Sequence, residues 1–467
     1  MQPANMAQTI LSVVAEVQPE SADLVRKRLA ALTSEHETKA NPEDQSYDRL
    51  RSAVPALHFM SMTVADDEQY NPIFVLEANF DGEPGPFWAQ LEAAIGPSLR
   101  DVLCLCKPPR DDRLGLFNSV TLPNSRAPLA PLLEALTVRP VVAHQGNRGL
   151  DRARIIHEGK LFSALRQAVD RTPLLHSMSA VEVHRQLRAK LLPEFPWLDE
   201  PVASRIGTLE SLIDHLRLCG FYWFFILAFL GLGWVLTVFY QSLHPALTVY
   251  KSAPLAGISL LAGLAAMRWR LRWLEQRDAT NDAPFLDANK LREMVRREDF
   301  IAQNHMISIV HLKPGVLRAI LAQLILSGLG LRLRVRARDG YLSSMRTIHF
   351  AHWAVLNNGG RLMFQSNFDG SWESYLDDFI EKAHEGLTLA WTHCVGFPPT
   401  RCLFKGGAAD GRKFKAWARH SMYPSQFWFS AYKEYSVNQI ERQARLADGL
   451  RQPVLKDQEA RAWVIDL

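Results

Sequence analysis

Two stretches of this chain share one pattern, and that repeat limits what the rest can fold into. Leu57–Gly82 reads LHFMSMTVADDEQYNPIFVLEANFDG, and Ile348–Gly370 reads IHFAHWAVLNNGGRLMFQSNFDG. Both open on an apolar residue followed by His-Phe, at His58-Phe59 and His349-Phe350. Both close on Asn-Phe-Asp-Gly, at Asn79–Gly82 and Asn367–Gly370. Apolar, β-branched and aromatic runs on either side of turn residues are the signature of a hairpin. In the second strand of each, Phe74, Leu76, Ala78 and Phe80 match Leu362, Phe364, Ser366 and Phe368 on one face, the face expected to pack on helices. The other face is mixed: Ile73, Val75, Glu77 and Asn79 match Arg361, Met363, Gln365 and Asn367. A wall shared between two sheets, or a pocket lining, has that character.

The surroundings of the hairpins repeat as well. Thr9–Val17 and Met306–Leu312 read as strands, each stopped by a proline, Pro19 and Pro314. Helical periodicity follows over Ser21–Leu32 and Val316–Leu326, with the polar run Thr33–Tyr47 as a loop. After the hairpins come helices carrying Phe87, Leu91 and Ile95, and over Ser371–His384, then short apolar runs at Leu103–Cys106 and Leu387–Cys394. Aligning Pro108-Pro109 with Pro398-Pro399 sets Cys104 over Cys394 and Arg110 near Arg401. The order is βαββαβ, twice. The fold class is therefore α+β: two tandem ferredoxin-like modules that close their sheets on each other as a pseudo-twofold α/β barrel. Each carries a tail: Gly411–His420, Gln426–Tyr432 and Val437–Leu450 in the second, Val138–His144 and Leu150–Val169 in the first. The modules occupy 1–190 and 298–467, with a transmembrane hairpin and its flanks at 205–275 between them.

That hairpin rests on Leu218–Tyr240, 23 residues without a charge, enough to cross ~30 Å of hydrocarbon. Leu247–Met267 is the second span, with Lys251 snorkelling at its start. Arg205 and Arg217 precede the pair and Arg268, Arg270, Arg272 and Arg277 follow it, so the positive-inside rule puts both ends in the cytoplasm, as in a bacterial inner-membrane protein. Val316–Leu331, leading into Leu331–Arg338, admits two readings that can hold together: the first helix of the second module packed on its sheet, or a helix in the membrane interface with its arginines near anionic lipid. A net charge of +4 over 467 residues does not call for nucleic acid. Five cysteines without zinc spacing read as reduced and structural, and no metal site is expected.

The residues that can carry chemistry cluster on the hairpins. Asp-Gly after a strand is first a turn former, and a place near the following helix N-terminus suits Asp369. The alternative is that Asp81 and Asp369 stand at a cavity rim as acid/base or ligand-orienting groups, with Glu77, Asn79, Gln365, Asn367 and His349 beside them as ligand contacts. His349 and His352 are three apart on a strand, which directs them to opposite faces.

Tandem modules with a strand-terminal Asp-Gly resemble the dimeric α/β-barrel superfamily, and within it the dye-decolourising peroxidases. Those enzymes carry a GxxDG motif. ANFDG (Ala78–Gly82) and SNFDG (Ser366–Gly370) keep its Asp-Gly and lack its first glycine. The resemblance implies haem in the second module, Asp369 as the peroxide-handling residue and Arg401 as a distal helper, with His384, His393 or His420 as axial ligand. Three functional expectations follow: a membrane-anchored module that binds a small apolar or lipid-like ligand, a haem peroxidase-like oxidoreductase, or a structural partner-binding membrane protein.

Overall fold

The computed structural model describes residues 7–38, 48–172, 177–201, 205–281, 284–298, 302–336 and 345–467. The first half runs β1 (Gln8–Glu16), α1 (Ala22–Thr38), α2 (Asp48–Ala53), β2 (Leu57–Ala65), β3 (Ile73–Asp81), α3 (Pro84–Leu103), α4 (Leu116–Thr121) and α5 (Ala130–Ala135). It continues through β4 (Thr137–Val138), β5 (Val142–Gln145), α6 (Arg152–Asp170) and α7 (Ala180–Leu191). Three helices stand in the middle: α8 (Thr208–Leu243), α9 (Val249–Glu275) and α10 (Ala288–Glu298). The second half runs β6 (Gln303–His311), α11 (Val316–Arg336), β7 (Ile348–Leu356), β8 (Arg361–Asp369), α12 (Trp372–Trp391), β9 (Thr400–Arg401) and β10 (Lys405–Gly406). It ends with α13 (Gly411–Ser421), β11 (Met422–Tyr423), β12 (Phe427–Ser430), α14 (Val437–Arg451) and α15 (Asp457–Ile465).

This is an α+β protein whose two five-stranded sheets are antiparallel throughout, ordered β12-β2-β3-β1-β4 and β5-β7-β8-β6-β11. The hairpins fall where the sequence pattern sets them. The fourth strands do not. Leu103–Cys106 and Leu387–Cys394 are the ends of α3 and α12 with a single bridge each, Val17 to Cys106 and Leu312 to Cys394. Cys106, not Cys104, is thus the counterpart of Cys394. Leu and Cys, which are not branched at Cβ, let those helices run on after an internal kink, at Ile95 and Ala383. The strand beside β1 is β4, and the strand beside β6 is β11. In the same way α1 continues through Thr38 into the run read as a loop, and 39–47 lie outside the described residues.

The outermost strand beside each hairpin comes from the other half of the chain. β12 pairs with β2, setting Met62 opposite Phe427, and β5 pairs with β7, setting Ala143 opposite His352. An uncovered edge would leave a row of N–H and C=O groups without partners. Each half closes its neighbour's edge. The hairpins also share a register shift at the same place, between Leu57 and Phe59 and between Ile348 and Phe350. Helices cover the outer faces of the sheets in two cores. A third core joins α6 and α7 to α14 and α15, mixing the two halves again. Between the sheets lies a dry cluster of Ile73, Val75, Ile307, Ile309, Ala354, Leu356 and Met363.

Among the described residues, three helices are long and apolar enough to cross a membrane: α8, α9 and α11. The first two form a hairpin bolted to the sheets at both ends. Arg148 holds Asp214 near the start of α8 at 2.7 Å. Glu275 at the end of α9 accepts from the backbone N–H groups of Cys402 (3.0 Å) and Leu403 (2.8 Å). α11 crosses the base of this hairpin. Its Arg318 meets Asp278 at 2.7 Å, and a Cβ on its Gly328 would stand 3.0 Å from the Phe221 ring of α8. Ala322, Leu326 and Gly330 are buried, while Val316 and Ile320 face outward.

The strand exchange rests on a close backbone approach. Gly146 donates its N–H to His349 O at 2.7 Å, and a Cβ there would fall 2.0 Å from the Ile348 carbonyl oxygen. Gly146→Ala is expected to cost about 2–3 kcal/mol, measured by denaturant titration. Gly386→Ala on α12, where a Cβ meets nothing within 4 Å, is expected to leave stability unchanged or raise it by up to about 1 kcal/mol. Equal effects of the two changes would contradict the close approach.

Candidate functional site

Alternation on β3 and β8 puts Glu77 and Asn79, and Gln365 and Asn367, in the space between the sheets. There they meet residues from β1, β6, β7 and β12. Glu77 is fully buried and is the centre of the layer. It accepts from His305 Nε2 (2.9 Å), Asn79 Nδ2 (3.0 Å), Asn367 Nδ2 (3.2 Å) and Ser61 Oγ (3.3 Å). His352 Nδ1 lies 3.6 Å from the same carboxylate. Burial alone would raise its pKa. The hydrogen bond and charge of His305, the charge of His352 and the Asn79 bond outweigh it and bring the group down to about 2. Burial lowers the pKa of His352, whose Nε2 is 3.0 Å from Ser12 Oγ. Gln365 donates to the same hydroxyl, and Trp428 of the exchanged strand donates to Asn367 Oδ1 at 2.9 Å. His305 Nδ1 contacts Ser425 Oγ at 3.0 Å, which contacts Thr63 Oγ1 at 2.8 Å.

At one end of this layer sit the two Asn-Phe-Asp-Gly aspartates. Asp369 Oδ1 is 2.8 Å from His349 Nε2, and its Oδ2 accepts the Val437 N–H at 2.7 Å. Asp81 Oδ1 is 2.9 Å from His58 Nε2, and its Oδ2 accepts the Arg152 N–H at 2.8 Å. Val437 and Arg152 are the first residues of α14 and α6. The expectation that Asp369 serves the helix directly after it is corrected. Ser371 caps α12, and Asp369 serves the distant tail helix. The face assignment of the histidines is corrected too. The register shift at Ile348/Phe350 turns His349 inward, so its partners Asp369 and Gln303 lie on the same side of the sheet as His352's partners Glu77 and Ser12. They hold separate partners, and no group of three or more His, Cys, Asp or Glu suited to a metal occurs among the described residues.

Six of the anticipated ligand contacts, Glu77, Asn79, Asp81, Gln365, Asn367 and His349, come together with Asp369 in this layer. Arg401 does not join them. It is exposed on the β9–β10 hairpin, which packs against α9. Ser12, His305, Ser425 and Trp428 also belong to the layer. Of these, alternation on β6 alone could have pointed to His305, since the others depend on which strands pair. Glu77, Asn79, Gln365, Asn367 and His352 of this layer are fully buried. Beside it, a cavity of about 60 Å³ bounded by His305, Ser425 and Trp428 holds a few waters at most.

The helix-covered side of the second sheet leaves no room for haem. Between the second sheet and its helices, Phe364, Tyr375, Phe379, Trp391 and Trp417 leave about 20 Å³. Asp369 already has both oxygens engaged. His384 Nδ1 contacts Ile380 O and His420 Nδ1 contacts Phe285 O, contacts that leave Nε2 of each ring to other partners, but neither ring lines this space. His393 is buried beside Arg318 and Lys313, and burial followed by those charges lowers its pKa to about 4. Compared with known proteins, the chain matches no family, no curated protein and no solved structure.

What this arrangement does chemically is fix one register between two sheets. Because Glu77 has a folded pKa below its usual value of 4.5, its stabilising contribution is complete above that pH and is lost as pH falls towards about 2. The difference in unfolding free energy between the wild type and Glu77→Gln is expected to shrink over that window, read from chemical denaturation at stepped pH. A constant difference would contradict the assignment. Asp369→Asn keeps an acceptor for Val437 and is expected to cost about 1–3 kcal/mol, with Asp369→Ala costing more. The check is thermal or chemical unfolding beside hydrogen exchange of the first turn of α14.

Proposed function

We propose that this is a multi-pass protein of the bacterial inner membrane that holds two ferredoxin-like modules, closed as a pseudo-twofold α/β barrel, on the cytoplasmic side, and that it binds a small or lipid-like ligand there. The observation that carries the reading is the bare apolar surface of α8. Trp223, Leu230 and Trp234 are 58%, 61% and 69% exposed, which water disfavours and hydrocarbon does not. The barrel reading is supported by the matching strand orders, the matching register shifts and the inward-facing mixed faces of β3 and β8. Arginines at the foot of both helices support a cytoplasmic placement of the two ends.

The apolar helices direct the search for the ligand to the junction of sheets and membrane helices. α11 belongs to that junction: one side packs on the second sheet, and Val316 and Ile320 face outward at the hairpin's foot. Reporter fusions at the two termini are expected to report cytoplasm in both cases, and the full chain is expected to stay with membranes through alkaline carbonate washing. A periplasmic signal from either end, or release by carbonate, would overturn the reading.

A further inference from the structure

A cavity of about 420 Å³ opens where the foot of α8 meets β5 and the last turns of α11. His144, Gln8, Arg148, Arg205, Arg334 and the first-turn carboxylate Glu210 line it, with the backbone of Gly207 at the N-terminus of α8. Its polar lining is incompletely paired. His144 is 2% exposed, yet neither ring nitrogen has a hydrogen-bond partner. Gln8 spends its Nε2 on the Leu150 carbonyl at 2.8 Å, and its Oε1 is buried without a partner. Buried polar groups left unmade are costly, so each calls for a partner that water or a ligand supplies. Burial lowers the His144 pKa to about 3, so the ring is neutral. It offers one donor and one acceptor.

The charges around the cavity set the ligand's sign. Arg148 is tied to Glu210 and Asp214, and Arg205 to Glu441 at 2.6 Å. Arg334 is the least committed: its contact with Asp214 is long, 3.9 Å, and half its side chain is exposed. Gly207 brings no side-chain cap, so the first-turn N–H groups of a 36-residue helix face this end. An anion satisfies Arg334 and the helix N-terminus. Hydroxyl groups satisfy the His144 acceptor nitrogen and Gln8 Oε1.

We propose that this cavity binds a phosphorylated polyol, its phosphate on Arg334 and the α8 N-terminus and its hydroxyls on His144 and Gln8. The apolar stretch of α8 begins at Leu218, ten residues beyond Thr208, or about 15 Å along the helix. The headgroup layer is about 5–8 Å deep on each side, so a glycerophosphate lipid headgroup meets this cavity only where α8 tilts or the lipid is drawn up towards it, and this source rests on the membrane reading above. A soluble polyol phosphate has the same chemistry.

The test uses the full chain in nanodiscs of phosphatidylcholine with and without phosphatidylglycerol, with lipid retention read by native mass spectrometry. Glycerol 3-phosphate and inorganic phosphate are added separately, with thermal stability as readout. Retained phosphatidylglycerol that Arg334→Gln and His144→Leu each weaken about tenfold supports a lipid headgroup. Stabilisation by glycerol 3-phosphate beyond inorganic phosphate, lost in the same variants, supports a soluble polyol phosphate. No preference for either over phosphatidylcholine and inorganic phosphate, or a preference that both variants keep, overturns the proposal. If His144→Leu does not fold, Arg334→Gln at a half-exposed position decides alone. A chain that fails to enter phosphatidylcholine discs at all contradicts the membrane reading instead.

Discussion

Asp369 holds His349 on one carboxylate oxygen and the first N–H of a tail helix on the other, and Asp81 holds the first N–H of the other tail helix and stands 2.9 Å from His58. Those helices, α6 and α14, follow directly on β5 and β12, the two strands that change sheets. Fixing the helix start to the end of the hairpin therefore fixes where each exchanged strand can lie. A carboxylate at a helix N-terminus is favourable in itself. Here it also joins segments 71 and 68 residues apart in sequence. Without that tie, the edge of each sheet would have to find its covering strand unaided.

The polar layer around Glu77 has a different character. A buried carboxylate surrounded by donors is weak evidence for stability, because desolvation offsets much of the attraction. It is demanding about geometry. His305 from β6, Asn367 from β8, Ser61 from β2 and Asn79 from β3 all meet one carboxylate. A slip of one residue in either sheet would turn one of those side chains towards the helices. The apolar cluster of Ile73, Ile307 and Met363 supplies burial without direction, and the Glu77 layer supplies the direction.

Much of this was legible from periodicity. The alternation of Phe74, Leu76, Ala78 and Phe80 identified the helix-facing side of β3, and by elimination the inward side that carries Glu77 and Asn79. The apolar run from Leu218 identified the membrane-like helix. Local pattern cannot report partners. Phe427–Ser430 was readable as a strand, but its place beside β2 depends on contacts across the chain, and Trp428 and Ser425 were invisible as site residues for that reason. The inward turn of His349 was missed because a one-residue register shift reverses the face that strict alternation assigns. A four-residue apolar run such as Leu103–Cys106 has no period of its own, so a helix end there looks like a strand. Arg401 entered through resemblance alone and stands apart from Asp369.

The central claim is that neither half of the chain closes its own sheet. Hydrogen exchange at Met60 and Met62 addresses it, since β2 meets β12 through the backbone of its even-numbered residues, as at His58 O and Met62 O. Residues 1–244 are produced alone in detergent, and again together with residues 249–467. The account predicts unprotected Met60 and Met62 amides in the first sample and strong protection in the second. Full protection in residues 1–244 alone would contradict it.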